Sequence, residues 1–83
     1  MAIDRYEQTT FRPLAKGPDR FARYAGHRLV IVEMIGDGVS AGWGYTIWEE
    51  GLCVAGRCSW KWGYHDACAE SDRWLARNPE DPR

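Results

Sequence analysis

The segment Trp43–Trp60, WGYTIWEEGLCVAGRCSW, constrains the fold more than any other part of the chain. Its first run alternates. Trp43, Tyr45 and Ile47 fall on one face of a strand, and Gly44, Thr46 and Trp48 fall on the other. Glu50-Gly51 then supplies the two-residue connection of a hairpin, with glycine where such turns need a positive φ. If the return run continues without interruption, Ile47 faces Val54, Tyr45 faces Gly56 and Trp43 faces Cys58. That register gathers Trp43, Tyr45, Ile47, Leu52, Val54, Cys58 and Trp60 on one face, whereas a slip of one residue disperses them. Gly56 opposite Tyr45 would leave room for the ring.

A second strand precedes the hairpin. HRLVIVEM, His27–Met34, is a β-branched run of strand length. Val30, Val32 and Met34 share one face; Leu29, Ile31 and Glu33 share the other. A strand apolar on most of both faces belongs in the middle of a sheet. Gly36–Gly42, GDGVSAG, reads as a loop. A phosphate-binding loop needs set glycine spacings and a following helix, and a strand follows here. After the hairpin, Asp66 is placed to cap a helix. ACAESDRWLAR carries Ala67, Cys68, Ser71, Trp74 and Leu75 as an apolar stripe. Asn78 and Pro79 end it.

These elements predict an α+β fold. It is a three-stranded antiparallel meander, four-stranded if the N-terminal segment adds an edge, with the C-terminal helix packed on one face. The 83 residues form a single small domain. Residues 1–26 make a basic N-terminal segment, 27–62 the sheet, 66–78 the helix and 79–83 a polar, frayed tail. Within the first segment, GPDRFARYAG reads as a short helix closed by Gly26, and YEQTTFRP as an edge strand ending before Pro13.

The net charge of −1 conceals an asymmetry. Residues 1–28 hold six basic and three acidic side chains, and residues 29–83 hold five and nine, so the two parts carry +3 and −4. No apolar run approaches a membrane span of ~20 residues. MAIDRYEQTT is polar where a secretory leader needs an apolar stretch. A cytoplasmic protein with reduced thiols is therefore expected, and three cysteines, an odd number, do not make a disulfide framework.

Cys53, Cys58, His65 and Cys68 form C-x4-C-x6-H-x2-C, the one candidate metal set. Zinc requires its ligands to converge tetrahedrally. An odd separation in a continuous strand puts Cys53 outside and Cys58 inside, so folding without metal, and without any other cofactor, is expected. Cys58 and Cys68 then act as small buried apolar groups, and Cys53 is a partly exposed thiol. Cys68, early in the helix and three residues from His65, is the one candidate nucleophile, since a helix N-terminus favours a thiolate. No Asp or Asn is placed to orient His65, so no enzymatic activity is expected.

Five tryptophans exceed what so small a core can hold. Trp43, Trp60 and Trp74 are assigned to the core. Trp48 falls on the opposite face with Thr46, Cys53, Ala55 and Arg57, while Trp62 sits beside Lys61 and Tyr64 where the strand leaves the sheet. Trp, Tyr and Arg are enriched at interface hot spots. Trp48, Arg57, Lys61, Trp62 and Tyr64 are thus the candidate contacts for a protein partner, and homodimerisation is a further form of the same expectation; the equal alternative is that the N-terminal segment covers this face and Trp48 belongs to a second small core. The competing ligand is nucleic acid, held by Arg12, Lys16, Arg20 and Arg23 with exposed aromatics stacking on bases; a sequence pI near 6.1 weighs against it.

The order of elements from Leu29 to Arg77, three strands and then DACAESDRWLAR, resembles the strand–strand–strand–helix units of HicB-like antitoxins and double-stranded-RNA-binding-like domains. The resemblance carries no residue role. In size and aromatic load the chain also resembles the small inhibitors encoded by phages and mobile elements, anti-CRISPR proteins among them. That likeness implies a stoichiometric binder of a larger complex.

Overall fold

The computed structural model describes residues 12–13, 19–36 and 41–80. In chain order the elements are β1 (Arg12–Pro13), β2 (Arg20–Ala25), β3 (Arg28–Ile35), β4 (Gly42–Glu49), β5 (Leu52–Ser59) and α1 (Tyr64–Arg77). The strands form one antiparallel sheet in the order β1-β2-β3-β4-β5, and α1 packs on one face of it. The fold is α+β, as the sequence predicts.

The expected central strand is central. β3 lies between β2 and β4, and one of its faces meets the helix. Val30 and Val32 on β3, Tyr45 and Ile47 on β4, and Ala67 on α1 are the buried apolar core. Small residues let the helix approach the sheet closely. Ala67 and Ser71 are fully buried, and the Ser71 hydroxyl donates to the Cys68 carbonyl at 2.8 Å, so no donor is left unsatisfied. Trp74, Leu75 and Cys68 pack around them.

Four expectations are corrected. Arg20–Ala25 is a strand, not a helix. Phe21, Tyr24 and Ala25 do fit one face of a helix, but Phe21, Arg23 and Ala25 alternate equally well, and pairing with the second edge of β3 decides for the strand. Gly26 is therefore not a helix terminus. It is the first of two turn residues joining β2 to β3, with φ of +66°, where glycine is the favoured residue. The helix begins at Tyr64, with Gly63 as its N-cap; Asp66 sits in the first turn and its carboxylate accepts the Gly63 N–H at 2.9 Å. The tail is tied down as far as Glu80, whose carboxylate accepts the His27 backbone N–H at 2.8 Å.

The fourth correction concerns the hairpin register. Its turn is Glu50-Gly51, as expected, with φ of 52° and 84°. The pairing then starts with Glu49 opposite Leu52 and Trp48 opposite Cys53, but Ile47 faces Ala55. Val54 is an extra residue, a β-bulge, and everything beyond it shifts by one. Tyr45 faces Arg57, Thr46 faces Gly56 and Gly44 faces Cys58. The Cys53 thiol donates across the bulge to the Ala55 carbonyl at 3.4 Å.

Of the N-terminal edge strand, Arg12–Pro13 pairs with β2 at Ala22 and Phe21. The rest of that expectation, Lys16, most of the 36–42 loop and the last three residues lie outside the described residues.

Candidate functional site

The sheet has two unlike faces. The inner face bears the core and α1. The outer face carries Ala22 and Tyr24 from β2, Leu29 and Ile31 from β3, Thr46 and Trp48 from β4, and Cys53 and Cys58 from β5. Among the described residues no element lies over it, since every element other than α1 is a strand of the sheet itself. Leu29 pairs with Trp48 and Ile31 with Thr46. The Trp48 indole N–H donates to the Thr46 hydroxyl at 2.8 Å, which holds the ring along its own strand. Trp48 is therefore a half-exposed aromatic beside Leu29 and Cys53, on a face that also carries the Arg20–Glu33 ion pair, at the position the alternation of β4 predicts.

The bulge redistributes the other candidates. Ala55 and Arg57 move to the inner side, and Gly56 and Cys58 to the outer side. Arg57 stands at the margin of the inner face, its guanidinium 5.7 Å from the Trp62 ring. Trp62 is not a free aromatic. It stacks on Tyr45 at 6.3 Å and packs against the core. Tyr64 joins three elements, with ring contacts to Phe21 at 5.0 Å, to Trp43 at 5.4 Å and to the neighbouring His65 at 5.3 Å. Lys61 lies 5.5 Å from the Trp60 ring. Trp60, assigned to the core from sequence, is 71% exposed, because the one-residue shift turns it with Cys58 to the outer side, away from α1. The five candidate contacts thus divide between Trp48 on the outer face, Arg57, Lys61 and Trp62 around the β5–α1 turn, and Tyr64 in the interior cluster.

Two of the four cations of the basic segment, Arg20 and Arg23, are engaged within the fold. Arg20 pairs with Glu33 at 2.9 Å across β2–β3, and Arg23 pairs with Asp72 of the helix. The cation that sequence reasoning did not single out is Arg28. It is 7% exposed. Its Nε lies 2.6 Å from Glu49 Oε2, its terminal nitrogen donates to the Asn78 carbonyl, and its guanidinium sits 5.0 Å from the Trp74 ring. The signal was weak, since a charge opening an apolar strand looks like any solvated strand end.

The cysteines do not converge. Cys53 and Cys58 are exposed on the outer face, while Cys68 is half-buried on the helix against the inner face. Among the described residues no three His, Cys, Asp or Glu side chains are grouped to hold a metal ion. The candidate nucleophile is corrected as well. Burial pushes the Cys68 thiol above its ordinary range, Asp72 pushes it further, and the hydrogen bond from Tyr64 and the charge of Arg23 only partly offset this. The shift is upward, opposite to the lowering a helix N-terminus would give. No described helix is long and apolar enough to cross a membrane.

At one end of the outer face the sheet forms a shallow groove of about 190 Å³ lined by Ile35, Gly42, Cys58, Ser59 and Trp60. Glycine is required at Gly42, which lines it, and at the nearby Gly44. A Cβ on Gly42 would stand 2.3 Å from the Ser59 carbonyl oxygen, and one on Gly44 would stand 2.6 Å from Cys58 Cβ.

No protein-family model, no curated protein and no solved structure matches the chain.

Proposed function

We propose that this chain is a small non-catalytic binding module that docks a protein partner on the outer face of its sheet. The reading rests on one observation. A single helix covers one face, and no described element covers Leu29, Ile31 and Trp48 on the other. Anchors at interfaces are typically large aromatics surrounded by contacts that exclude water, and Trp48 beside Leu29 and Cys53 suits that role. The pairing of Arg20 and Arg23 with acidic partners favours a protein over nucleic acid, because two of the four cations proposed for phosphates are already neutralised. Burial, which raises the Cys68 thiol rather than lowering it, favours binding over catalysis. A narrower form of the proposal is a stoichiometric inhibitor of a larger complex, of the phage or mobile-element kind.

The test is Trp48→Ala. Affinity for a partner isolated from the native host should fall by about thirty-fold or more, equivalent to ~2 kcal/mol, with an unchanged circular dichroism spectrum. An unfolded variant would make Trp48 part of a core. Unchanged affinity in a folded variant would move the interface elsewhere. If nucleic acid is the ligand, Arg20→Ala with Arg23→Ala should flatten the salt dependence of binding.

A further inference from the structure

We infer that the free edge of β5 is a rail for an extended partner segment carrying adjacent acidic and apolar residues. The inference rests on the reading of the chain as a binding module but not on Trp48. β5 is the last strand of the sheet, and among the described residues nothing pairs with its outer edge. Every second residue of such an edge directs its N–H and C=O groups away from the sheet. Proteins usually blunt a free edge with proline, lysine, a bulge or short length. Here the single bulge, at Val54, lies near the start of the strand, and Ala55–Ser59 beyond it is regular and contains neither proline nor lysine.

The two sides of this rail differ chemically. On the inner side stands Arg57, braced on Trp62; Lys61 lies just beyond the strand end, against the Trp60 ring that lines the outer groove. Neither has a carboxylate partner among the described residues, in contrast to Arg20, Arg23, Arg28 and Arg73, which are all paired. On the outer side, Cys58 borders the apolar groove with Ile35 and Trp60. Side chains of an added strand alternate between the two faces. A residue beside Arg57 would therefore be acidic, and its neighbour beside Cys58 would be apolar and enter the groove. A second copy of β5 fits this poorly, because it brings Arg57 and no carboxylate.

The probe is a capped seven-residue peptide alternating leucine and aspartate, with a matched peptide in which lysine replaces aspartate. Titration into isotopically labelled protein is followed by amide NMR shifts. The aspartate peptide should perturb the Ala55–Ser59 amides and slow their hydrogen exchange, and should bind at least tenfold more tightly than the lysine peptide. Arg57→Glu with Lys61→Glu should invert that preference, and since both side chains are exposed the variant should keep its fold. Trp48→Ala should leave peptide binding unchanged, so that failure of the outer-face proposal and failure of this one are separable. Equal binding of both peptides, shifts confined to the residues around Trp48, no binding at millimolar peptide, or concentration-dependent dimerisation through β5 would each overturn the inference.

Discussion

Arg28→Ala should be the most damaging single truncation of a charged side chain in this protein. The guanidinium links three places that are distant in sequence: the end of β4 through Glu49, the C-terminus of α1 through the Asn78 carbonyl, and the Trp74 ring between them. A hydrogen bond involving a charged group contributes roughly 1.5–3 kcal/mol when buried. The Glu49 side chain is 42% exposed and rehydrates once its partner is gone, so its share falls to about 1 kcal/mol or less. The carbonyl at the helix end and the contact with Trp74 add roughly 1–3 kcal/mol together. Relief of the desolvated cation offsets part of this. The net loss is about 1–3 kcal/mol, a fall in melting temperature of roughly 5–20 °C for a domain of this size. Urea denaturation followed by circular dichroism measures it. Arg28→Met, which keeps the buried stem, should recover about 1 kcal/mol. A double-mutant cycle with Glu49→Ala should show coupling of ~1 kcal/mol. A loss below about 0.5 kcal/mol for Arg28→Ala, or no coupling to Glu49, would refute the role of Arg28 as the clasp between sheet and helix end.

The bulge is tested by a pair of substitutions: Ile47→Ala should lose roughly 2–5 kcal/mol, while Cys58→Ala, on the exposed side of the shifted register, should lose less than about 0.5 kcal/mol in the same denaturation assay. An uninterrupted register would make both expensive. Glu50 holds a left-handed conformation that suits asparagine better, so Glu50→Asn should raise the melting temperature by a few degrees in a thermal scan. Burial raises the proton affinity of both Tyr64 and Cys68, and their hydrogen bond raises that of Tyr64 further. The folded state therefore holds these protons more tightly than the unfolded one. Their contribution is complete below the ordinary thiol range and is lost as pH rises through about 8.5 and above; a stability profile from pH 7 to 10.5 should decline, and Cys68→Ala should flatten its onset.

Much of the fold is written locally. The alternation of Trp43, Tyr45 and Ile47 places three side chains on one face whatever surrounds them, because successive residues of a strand point oppositely. Glu50-Gly51 between two strand-like runs is sufficient to set the turn. The two apolar faces of Leu29–Met34 require a central strand, and Asn78-Pro79 ends the helix. Trp48, the centre of the proposed interface, was legible for the same reason as the core, since its face follows from that of Ile47.

Tertiary structure decided what depends on pairing between distant segments. Nothing in Cys53–Cys58 marks Val54 as an extra residue: cysteine, valine and alanine suit either face, so an uninterrupted register and a bulged one read alike, and only the fit against β4 separates them. That choice turned Arg57 inward, Cys58 outward and Trp60 into solvent. Arg20–Ala25 became a strand because the far edge of β3 needed hydrogen-bond partners, a demand set outside the segment itself. Arg28 was buried because Glu49, Trp74 and Asn78 arrive around it from 21 to 50 residues away, and Glu80 closed onto His27 across 53. Strand alternation and turn chemistry act between neighbours in the chain; register, charge burial and the anchoring of a tail act between neighbours in space, which exist only after the chain has folded.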